Sequence, residues 1–218
     1  MTFRGRLFHL KNFFKKYLPK PVLYLYWLFR VLRIKVIRFV PRYEEDELIT
    51  SHNCDFMKEG KFIACYNLAV KAGLAISDRI HWRAHVACWA AYKGKSLEGD
   101  FVECGVAKGF LSRIVMEYVD FKNLSKKFFL MDTYEGLSEK HLTAKEKLFG
   151  RTGGGYKPSY ESVRETFKEF HNAIIIKGTI PETLTEVQSQ KIAYLHIDMN
   201  CTLPEIAAAE YFWDRLVS

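Results

Sequence analysis

Four apolar segments that alternate with helix-like segments constrain the fold of this chain more than any other feature. They read DFVEC, KKFFLMD, AIIIKG and KIAYLHID, beginning at positions 100, 126, 173 and 191. Strands that are apolar on nearly every residue, with helices between them, are typical of parallel sheets covered on both faces. The sequence therefore predicts an α/β fold built on a parallel sheet with flanking helices.

Helical spacing marks the segments between these strands and the stretch that precedes them. The predicted helices cover 58–75, 77–94, 109–119, 159–170, 181–188 and 204–217. A polar segment over 133–158 contains RTGGGYKP, which is not a phosphate-binding loop because Tyr156-Lys157 replaces the Gly-Lys-Ser/Thr of that motif. We interpret this segment as a substrate lid, since three adjacent glycines give the backbone unusual freedom.

The residues at the ends of the four strands are the ones to inspect for a ligand site. Ligands of open parallel sheets bind outside the carboxyl ends of the strands, where the strand order reverses. The predicted strands end at Glu103, Asp132, Gly178 and Asp198. Three of these four residues are acidic, which favours a ligand that carries hydroxyl groups or positive charge.

The turn ECGVAKG after the first strand is similar to the opening of a dinucleotide-binding unit but departs from it twice. Ala107 replaces the second glycine of the fingerprint, and Glu103 stands where a pyrophosphate would approach. A carboxylate there favours a cationic ligand such as S-adenosylmethionine, whose own carboxylate would use the helix N-terminus after Gly109. The alternative, a nucleotide-dependent sugar oxidoreductase, requires a complete GxGxxG and no acid in the turn.

Asp132 lies 29 positions after Glu103, where nucleoside-binding α/β folds place an acid that accepts hydrogen bonds from ribose hydroxyls. Gly178 and Thr179 end the third strand and would lie close to an adenine ring. A purely structural alternative stays open: both acids could simply cap the helices that follow their strands.

Four blocks then reveal a family resemblance. GDFVECGVAKG, FFLMDTYEGL, GTIPETL and HIDMNCTLPEIAAAEYFWDRLV occur in the order and spacing of the macrocin-type O-methyltransferases, the TylF-like family of class I S-adenosylmethionine enzymes. The resemblance covers roughly 60–218. It implies a Rossmann-like fold, methyl transfer to a hydroxyl of a sugar, glycan or glycosylated natural product, and a need for Mg²⁺ or a similar divalent cation.

The resemblance also implies roles for individual residues. The cofactor-binding residues would be Glu103, Gly105, Val106, Gly109, Ser112, Asp132, Thr133, Gly178 and Thr179. Asp198 matches the first metal-binding acid of the family and would also assist deprotonation of the acceptor. His141, on the lid, is a candidate catalytic base, and an exposed loop histidine is the alternative. His196 is expected to pack or hydrogen-bond rather than catalyse.

The end of the sequence carries a further expectation. The fourth strand has the composition of a buried strand, yet no fifth strand follows its helix, and the two other metal-binding acids of the family would come after Ser218. We therefore expect the chain to be C-terminally truncated, or to pair that edge with another partner. A non-catalytic methyltransferase-fold module, tethered to a membrane or a partner, is the alternative function.

The net charge of +8 comes from the front of the chain. Residues 1–42 hold 11 Lys and Arg and no acid, which leaves 22 basic against 25 acidic residues elsewhere and argues against nucleic-acid binding by the body. The longest uncharged run, PVLYLYWLF, is too short for the ~20 residues of a spanning helix. Contact with an anionic membrane surface is one interpretation; packing on the body or on a second subunit of a homo-oligomer is the other.

The expected organisation is a basic amphipathic extension over 1–43, a helical lead-in over 44–96 and the incomplete cofactor-binding domain over 97–218. Five cysteines without CxxC spacing predict free, unreactive thiols in a reducing compartment, hence a cytoplasmic protein, with the inner face of the membrane as a peripheral location. His81 and His85 lie four residues apart on one predicted helix, where a packed or solvated helix face is favoured over a metal pair because the Glu of HExxH is absent.

Overall fold

A computed structural model describes residues 41–74, 79–154 and 157–217, together with Pro21, Tyr24 and Leu28. The chain forms two compact units, residues 1–54 and 55–218. The predictions for the basic extension, including membrane contact, lie almost entirely outside the described residues and remain predictions. In the part of the chain that the structure describes, no helix has the length and apolar character needed to cross a membrane.

A short β-hairpin lies near the end of the first unit. Strands β1 (Tyr43–Glu45) and β2 (Leu48–Thr50) pair antiparallel through a two-residue turn. The turn residues Asp46 and Glu47 both have positive φ, 52° and 59°, which is the backbone that two-residue hairpins require.

The second unit contains the predicted parallel sheet. Its strands are β3 (Asp100–Cys104), β4 (Phe128–Asp132), β5 (Ala173–Lys177) and β6 (Ile192–Ile197), arranged in the order β5-β4-β3-β6 with all neighbours parallel. The chain runs outward from β3 to β5 and then returns to the other side of β3. The strand order therefore reverses between β3 and β6, where open α/β sheets bind their ligands.

Helices cover both faces of this sheet, as predicted. They are α1 (Gly60–Lys71), α2 (His81–Gly94), α3 (Phe110–Val119), α4 (Ala144–Leu148), α5 (Tyr160–Phe167) and α6 (Thr202–Trp213), with 3₁₀ turns at Asp55–Lys58, Phe121–Asn123, Glu139–His141 and Leu184–Glu186. Phe101 and Leu130 point to the core shared with α1, α2 and α3. Val102 and Met131 point to a second core that includes Phe212 of α6. Alternation along two-sided strands thus builds two hydrophobic layers.

The structure confirms all four predicted strands and corrects four details. β3 ends at Cys104, so Glu103 lies one residue inside the strand, and β6 ends at Ile197, one residue before Asp198. The polar segment 133–158 contains helix α4, whose first turn is stabilised by a capping box between Thr143 and Glu146. The segment 181–188, predicted as a short helix, forms only a 3₁₀ turn at Leu184–Glu186.

His81 and His85 pack against aromatic rings, as the sequence favoured. The His81 ring stacks on Tyr66 with 4.0 Å between ring centroids, and the His85 ring stacks on Phe56 at 4.1 Å. Burial lowers the pKa of His85, which favours the neutral imidazole within this cluster.

The five cysteines are expected to react very unequally with a thiol reagent. Cys65, Cys88, Cys104 and Cys201 are buried free thiols, whereas Cys54 is half-buried. Burial raises the pKa of all four buried thiols, so their thiolate fraction at neutral pH is small.

Titration of the native protein with an aromatic disulfide should therefore show one fast thiol and four others slower by at least about tenfold. All five should react at once in denaturant. Fast labelling of two or more thiols in the native protein, located by peptide mapping, would contradict this burial pattern.

Candidate functional site

The candidate site lies where the ends of β3 and β6 meet. Asp198 donates its backbone N–H to Cys104 O at 2.8 Å, and Gly105 donates to Met131 O at 2.9 Å. Gly105 has φ 97°, and a Cβ there would come within 2.0 Å of Asp198 O. The first glycine of the turn is thus required by the close approach of two backbone segments.

Asp132 fixes the turn that follows β3. Its Oδ2 accepts hydrogen bonds from Val106 N and Ala107 N, both at 2.8 Å, and its Oδ1 accepts one from Tyr134 N at 2.6 Å. The single hydroxyl hydrogen of Thr133 has a closer acceptor in Gly136 O, at 2.6 Å, than in Asp132 Oδ1, at 3.2 Å. A carboxylate has about four acceptor positions, so one position of this half-buried group is left for an outside donor.

Glu103 is the most deeply buried acid of the site, with only 2% of its surface exposed. Its Oε2 accepts a hydrogen bond from Ser112 Oγ at 2.6 Å, and its Oε1 lies 3.5 Å from His196 Nδ1. Burial opposes protonation of His196, but the Glu103 carboxylate outweighs this effect and raises the pKa of the imidazole. The structure therefore brings Glu103, Ser112 and His196 together behind the turn.

Asp198 forms an ion pair that links the sheet to α2. Arg83 Nη1 donates to Asp198 Oδ2 at 2.9 Å, and both side chains remain partly exposed. In the structure the guanidinium of Arg83 is bonded to the residue predicted as the metal ligand.

Close contacts within the protein also explain why glycine occupies positions 109 and 178. Gly109 precedes α3 with φ 84°, and a Cβ there would lie 2.5 Å from the Phe167 ring. A Cβ at Gly178 would lie 2.4 Å from Thr183 Cγ2. Both glycines allow close packing beside the strand ends, so their presence alone does not identify the ligand.

His141 lies on the lid segment, next to the loop that follows β6. Its backbone carbonyl accepts a hydrogen bond from Cys201 Sγ at 3.1 Å, and its Nε2 lies 3.3 Å from Glu182 Oε2. Thr179, predicted to contact the cofactor, donates its hydroxyl to the same Glu182 carboxylate at 2.8 Å. The end of β5 and the segment that contains His141 thus meet at Glu182.

Sequence reasoning missed three contributors to this site. Glu182 lies in the loop that follows β5, and its place after a predicted strand was the available signal. Ser159 donates its hydroxyl to Ala107 O at 2.8 Å, and Tyr134 accepts the backbone N–H of Ser159 at 3.0 Å. These two contacts brace the turn from the segment before α5, and no local pattern indicates them.

Glu146 accepts four hydrogen bonds, two of which join the segment 133–158 to α6. Its Oε2 accepts from Thr143 N and Oγ1, both at 2.7 Å, and its Oε1 accepts from Thr202 N at 2.8 Å and Oγ1 at 2.7 Å. The Thr143 hydroxyl and the Thr202 amide are the main reasons why the pKa of Glu146 falls from 4.5 to about 2.

We expect this carboxylate to give the folded state a pH-dependent stabilisation. Because the folded pKa is below the usual value, the stabilisation is complete above pH 4.5 and is lost as the pH falls towards 2. Urea unfolding of the wild type and of Glu146→Gln should differ at pH 7, and the difference should shrink on acidification. A difference that stays constant across that range would contradict the role of the charged form.

The donor and acceptor groups at the switch point fit S-adenosylmethionine better than they fit a metal ion. The remaining acceptor position on Asp132 suits a ribose hydroxyl, and the N-terminus of α3 favours a carboxylate. For a divalent cation, the described ranges contain no group of three His, Cys, Asp or Glu side chains that could hold it. Asp198 alone, bonded to Arg83, does not form a cation site from these residues.

Comparison with known proteins places this geometry in a family. The family model described as macrocin O-methyltransferase (TylF) matches residues 79–218, well over half of the chain and all of the strand-end site. A comparison with curated protein sequences gives no significant match.

Among solved structures, the O-methyltransferase NovP has 18% identity and a TM-score of 0.55, over 65% of this chain and 63% of NovP, so the chain spans less than two thirds of its length. The calicheamicin methyltransferase CalS11 has 14% identity and a TM-score of 0.46, over 76% of each chain. NovP supports the fold, and the family match covers the site. The chain therefore belongs to the macrocin O-methyltransferase (TylF) family.

Proposed function

We propose that the protein is an S-adenosylmethionine-dependent O-methyltransferase that acts on a hydroxyl of a sugar, a glycan or a glycosylated natural product. The observation that carries this proposal is the family match over residues 79–218, which include Glu103, Asp132 and Asp198. The geometry supports it because the strand-end acids surround the turn at the switch point, where open α/β sheets bind nucleoside ligands.

The residues around the turn would bind and orient the cofactor. S-adenosylmethionine, when bound, supplies a methyl group on a positively charged sulfur. Asp132 would accept a hydrogen bond from the ribose at its remaining acceptor position while it holds the amides of Val106 and Ala107 in place. Glu103 adds a buried negative charge behind the turn, which favours a cationic ligand over a pyrophosphate.

His141 would take the proton of the acceptor hydroxyl, and Asp198 would help to orient that hydroxyl from the neighbouring strand end. The lid segment would exclude water from the acceptor, since its two connections to α6, through Glu146 and Cys201, close it over the end of β6. Orientation and exclusion of water, rather than covalent chemistry by the protein, would supply the rate enhancement.

The divalent cation implied by the family resemblance is a separate question from the binding of the cofactor. The described residues contribute Asp198 as one carboxylate ligand, and Arg83 would have to leave it before a cation could bind. No step of the mechanism above depends on the cation, and its involvement is decided by the same experiment that tests the cofactor.

Isothermal titration calorimetry with S-adenosylmethionine and with S-adenosylhomocysteine, each in the presence of Mg²⁺ or EDTA, tests the proposal. We expect both ligands to bind with dissociation constants in the micromolar range, as enzyme substrates usually do. A well-folded sample that binds neither ligand, under either condition, would overturn the proposed function. Tighter cofactor binding in Mg²⁺ than in EDTA would assign the cation to this chain. Equal cofactor binding under the two conditions would remove the cation from the proposal.

A second candidate is a cofactor-binding module without turnover. Within the part of the chain that the structure describes, a single acid, Asp198, stands at the position predicted for metal, and it is paired with Arg83. Such a module would bind S-adenosylmethionine yet transfer no methyl group to any sugar hydroxyl. Transfer of a radiolabelled methyl group to a panel of glycosides separates the two functions.

A further inference from the structure

Glu182, to which neither the family resemblance nor the sequence assigned a role, has an unusually complete environment for a surface acid. Lys140 Nζ lies 2.5 Å from its Oε1, and Thr179 Oγ1 donates to its Oε2 at 2.8 Å. The same Oε2 lies 3.3 Å from His141 Nε2. One carboxylate thus connects the end of β5 to the lid histidine.

Glu182 is fixed in its ionised form. The hydrogen bond from Lys140 outweighs partial burial and holds the pKa of the Glu182 carboxyl at about 2. An ionised carboxylate only accepts hydrogen bonds. Nε2 is the nitrogen of His141 that lies near this carboxylate, at 3.3 Å, so a hydrogen on Nε2 is favoured, which in the neutral ring leaves the lone pair on Nδ1.

The imidazole of His141 is largely buried, and its backbone is anchored by a separate contact. Its side chain is only 14% exposed, and its backbone carbonyl is bonded to Cys201 at the start of α6. Nε2 is buried and has no hydrogen-bond partner of good geometry in the described ranges, so Glu182 is the acceptor it approaches. Contacts of this kind are often poorly aligned before substrate binds and tighten afterwards.

We propose that Glu182 is a positioning residue that holds His141 as the Nε2–H tautomer and so prepares Nδ1 to accept the proton of the acceptor hydroxyl. This inference rests on the proposed function, because it gives His141 the role of base in methyl transfer. As the acceptor oxygen bonds to the methyl carbon, the bond from that carbon to sulfur breaks with its electron pair going to sulfur. The hydroxyl proton moves to Nδ1, and Glu182 stabilises the resulting imidazolium.

The tautomer can be measured without cofactor or acceptor. Protein labelled with ¹⁵N in its seven histidines gives long-range ¹H–¹⁵N spectra in which a protonated ring nitrogen and a lone-pair nitrogen are well separated. His141→Gln identifies the signals of His141, and the exposed His171 serves as an internal reference. At a pH where the rings are neutral, we expect His141 to be almost wholly the Nε2–H form, with less tautomer averaging than His171.

Variants distinguish positioning from general stability. Glu182→Ala should return His141 to averaged tautomers, whereas Glu182→Gln, which keeps an acceptor oxygen, should largely preserve the Nε2–H form. Glu135→Gln, which removes the carboxylate 2.6 Å from Lys177 on the same strand end, is the matched control and should leave the tautomer unchanged. Circular dichroism confirms that each variant is folded.

An Nδ1–H form or free averaging in the wild type would overturn the proposal, as would an unchanged tautomer in Glu182→Ala. Because this readout needs no ligand, its result is independent of the calorimetry. A fixed tautomer without S-adenosylmethionine binding would leave the Glu182–His141 contact intact and reject the methyltransferase function. Binding of S-adenosylmethionine without a fixed tautomer would support the methyltransferase function and reject the positioning role of Glu182.

Discussion

Replacing Gly105 by alanine is expected to lower the free energy of unfolding by about 4 kcal/mol. The new Cβ would lie 2.0 Å from the carbonyl oxygen of Asp198, where it meets backbone atoms that cannot rotate away. The residue would also have to keep φ 97°, which alanine strongly disfavours. This clash can be relieved only if β3 and β6 separate at the switch point. Because the ligand site lies there, the variant should also bind its ligand more weakly.

Gly73→Ala is the matched control for this substitution. Gly73 also has a left-handed backbone, φ 71°, but a Cβ there would meet nothing within 4 Å. The control should therefore cost only the backbone strain, about 1 kcal/mol. Urea denaturation followed by circular dichroism measures both. Equal losses for the two variants would show that the contact with Asp198 is not the cause.

Removing the carboxylate of Asp132 is expected to have the second largest effect, a loss of about 3 kcal/mol in the free energy of unfolding for Asp132→Ala. Three backbone N–H groups, those of Val106, Ala107 and Tyr134, would lose their acceptor at once. Val106 is 4% exposed, so water reaches its amide poorly, while the half-buried position of Asp132 lets water replace part of the loss. The turn after β3 would become mobile as a consequence.

Asp132→Asn tests whether the hydrogen bonds or the charge matter more. The amide oxygen can still accept from two N–H groups, so this variant should lose roughly half as much stability as the alanine variant. Hydrogen exchange at Val106 and Ala107, measured by NMR, should rise most in the alanine variant and only modestly in the asparagine variant. Unchanged exchange at both amides in Asp132→Ala would show that the carboxylate does not hold the turn.

The Asp132 result also bears on how a site residue can be interpreted from sequence. The sequence left two readings open for this acid, a ribose partner or a purely structural group. In the structure three of its acceptor positions serve the protein and one remains. One carboxylate can fill both roles, because a pair of oxygens has more acceptor positions than a turn requires.

The fold was predictable because its causes are local. Apolar runs such as DFVEC and AIIIKG, separated by helical patterns, leave few alternatives to a covered parallel sheet. The strand-end acids were predictable for the same reason, since the end of each run is visible in the sequence. The small helix α4 was missed because it has no apolar face, and its stability comes from the capping box of Thr143 and Glu146.

The partners of the site residues were not predictable. Arg83 and Asp198 are 115 residues apart in the chain, and Lys140 and Glu182 are 42 residues apart. No sequence spacing relates such pairs, because the strand order β5-β4-β3-β6 decides which loops meet. Glu103 is a further example. The sequence pattern indicated an acid at the start of a turn, whereas packing in the folded protein buries this acid against Ser112 and His196.

The sequence by itself therefore determined the layered α/β architecture, the acids at the strand ends and the family to which their order belongs. Those features follow from hydrophobic periodicity and from motif order along the chain. Only the tertiary structure decided that Asp132 holds the turn, that Arg83 neutralises Asp198 and that Glu182 faces His141. These contacts depend on distances between segments far apart in sequence, and such distances are set by how the strands and helices pack together.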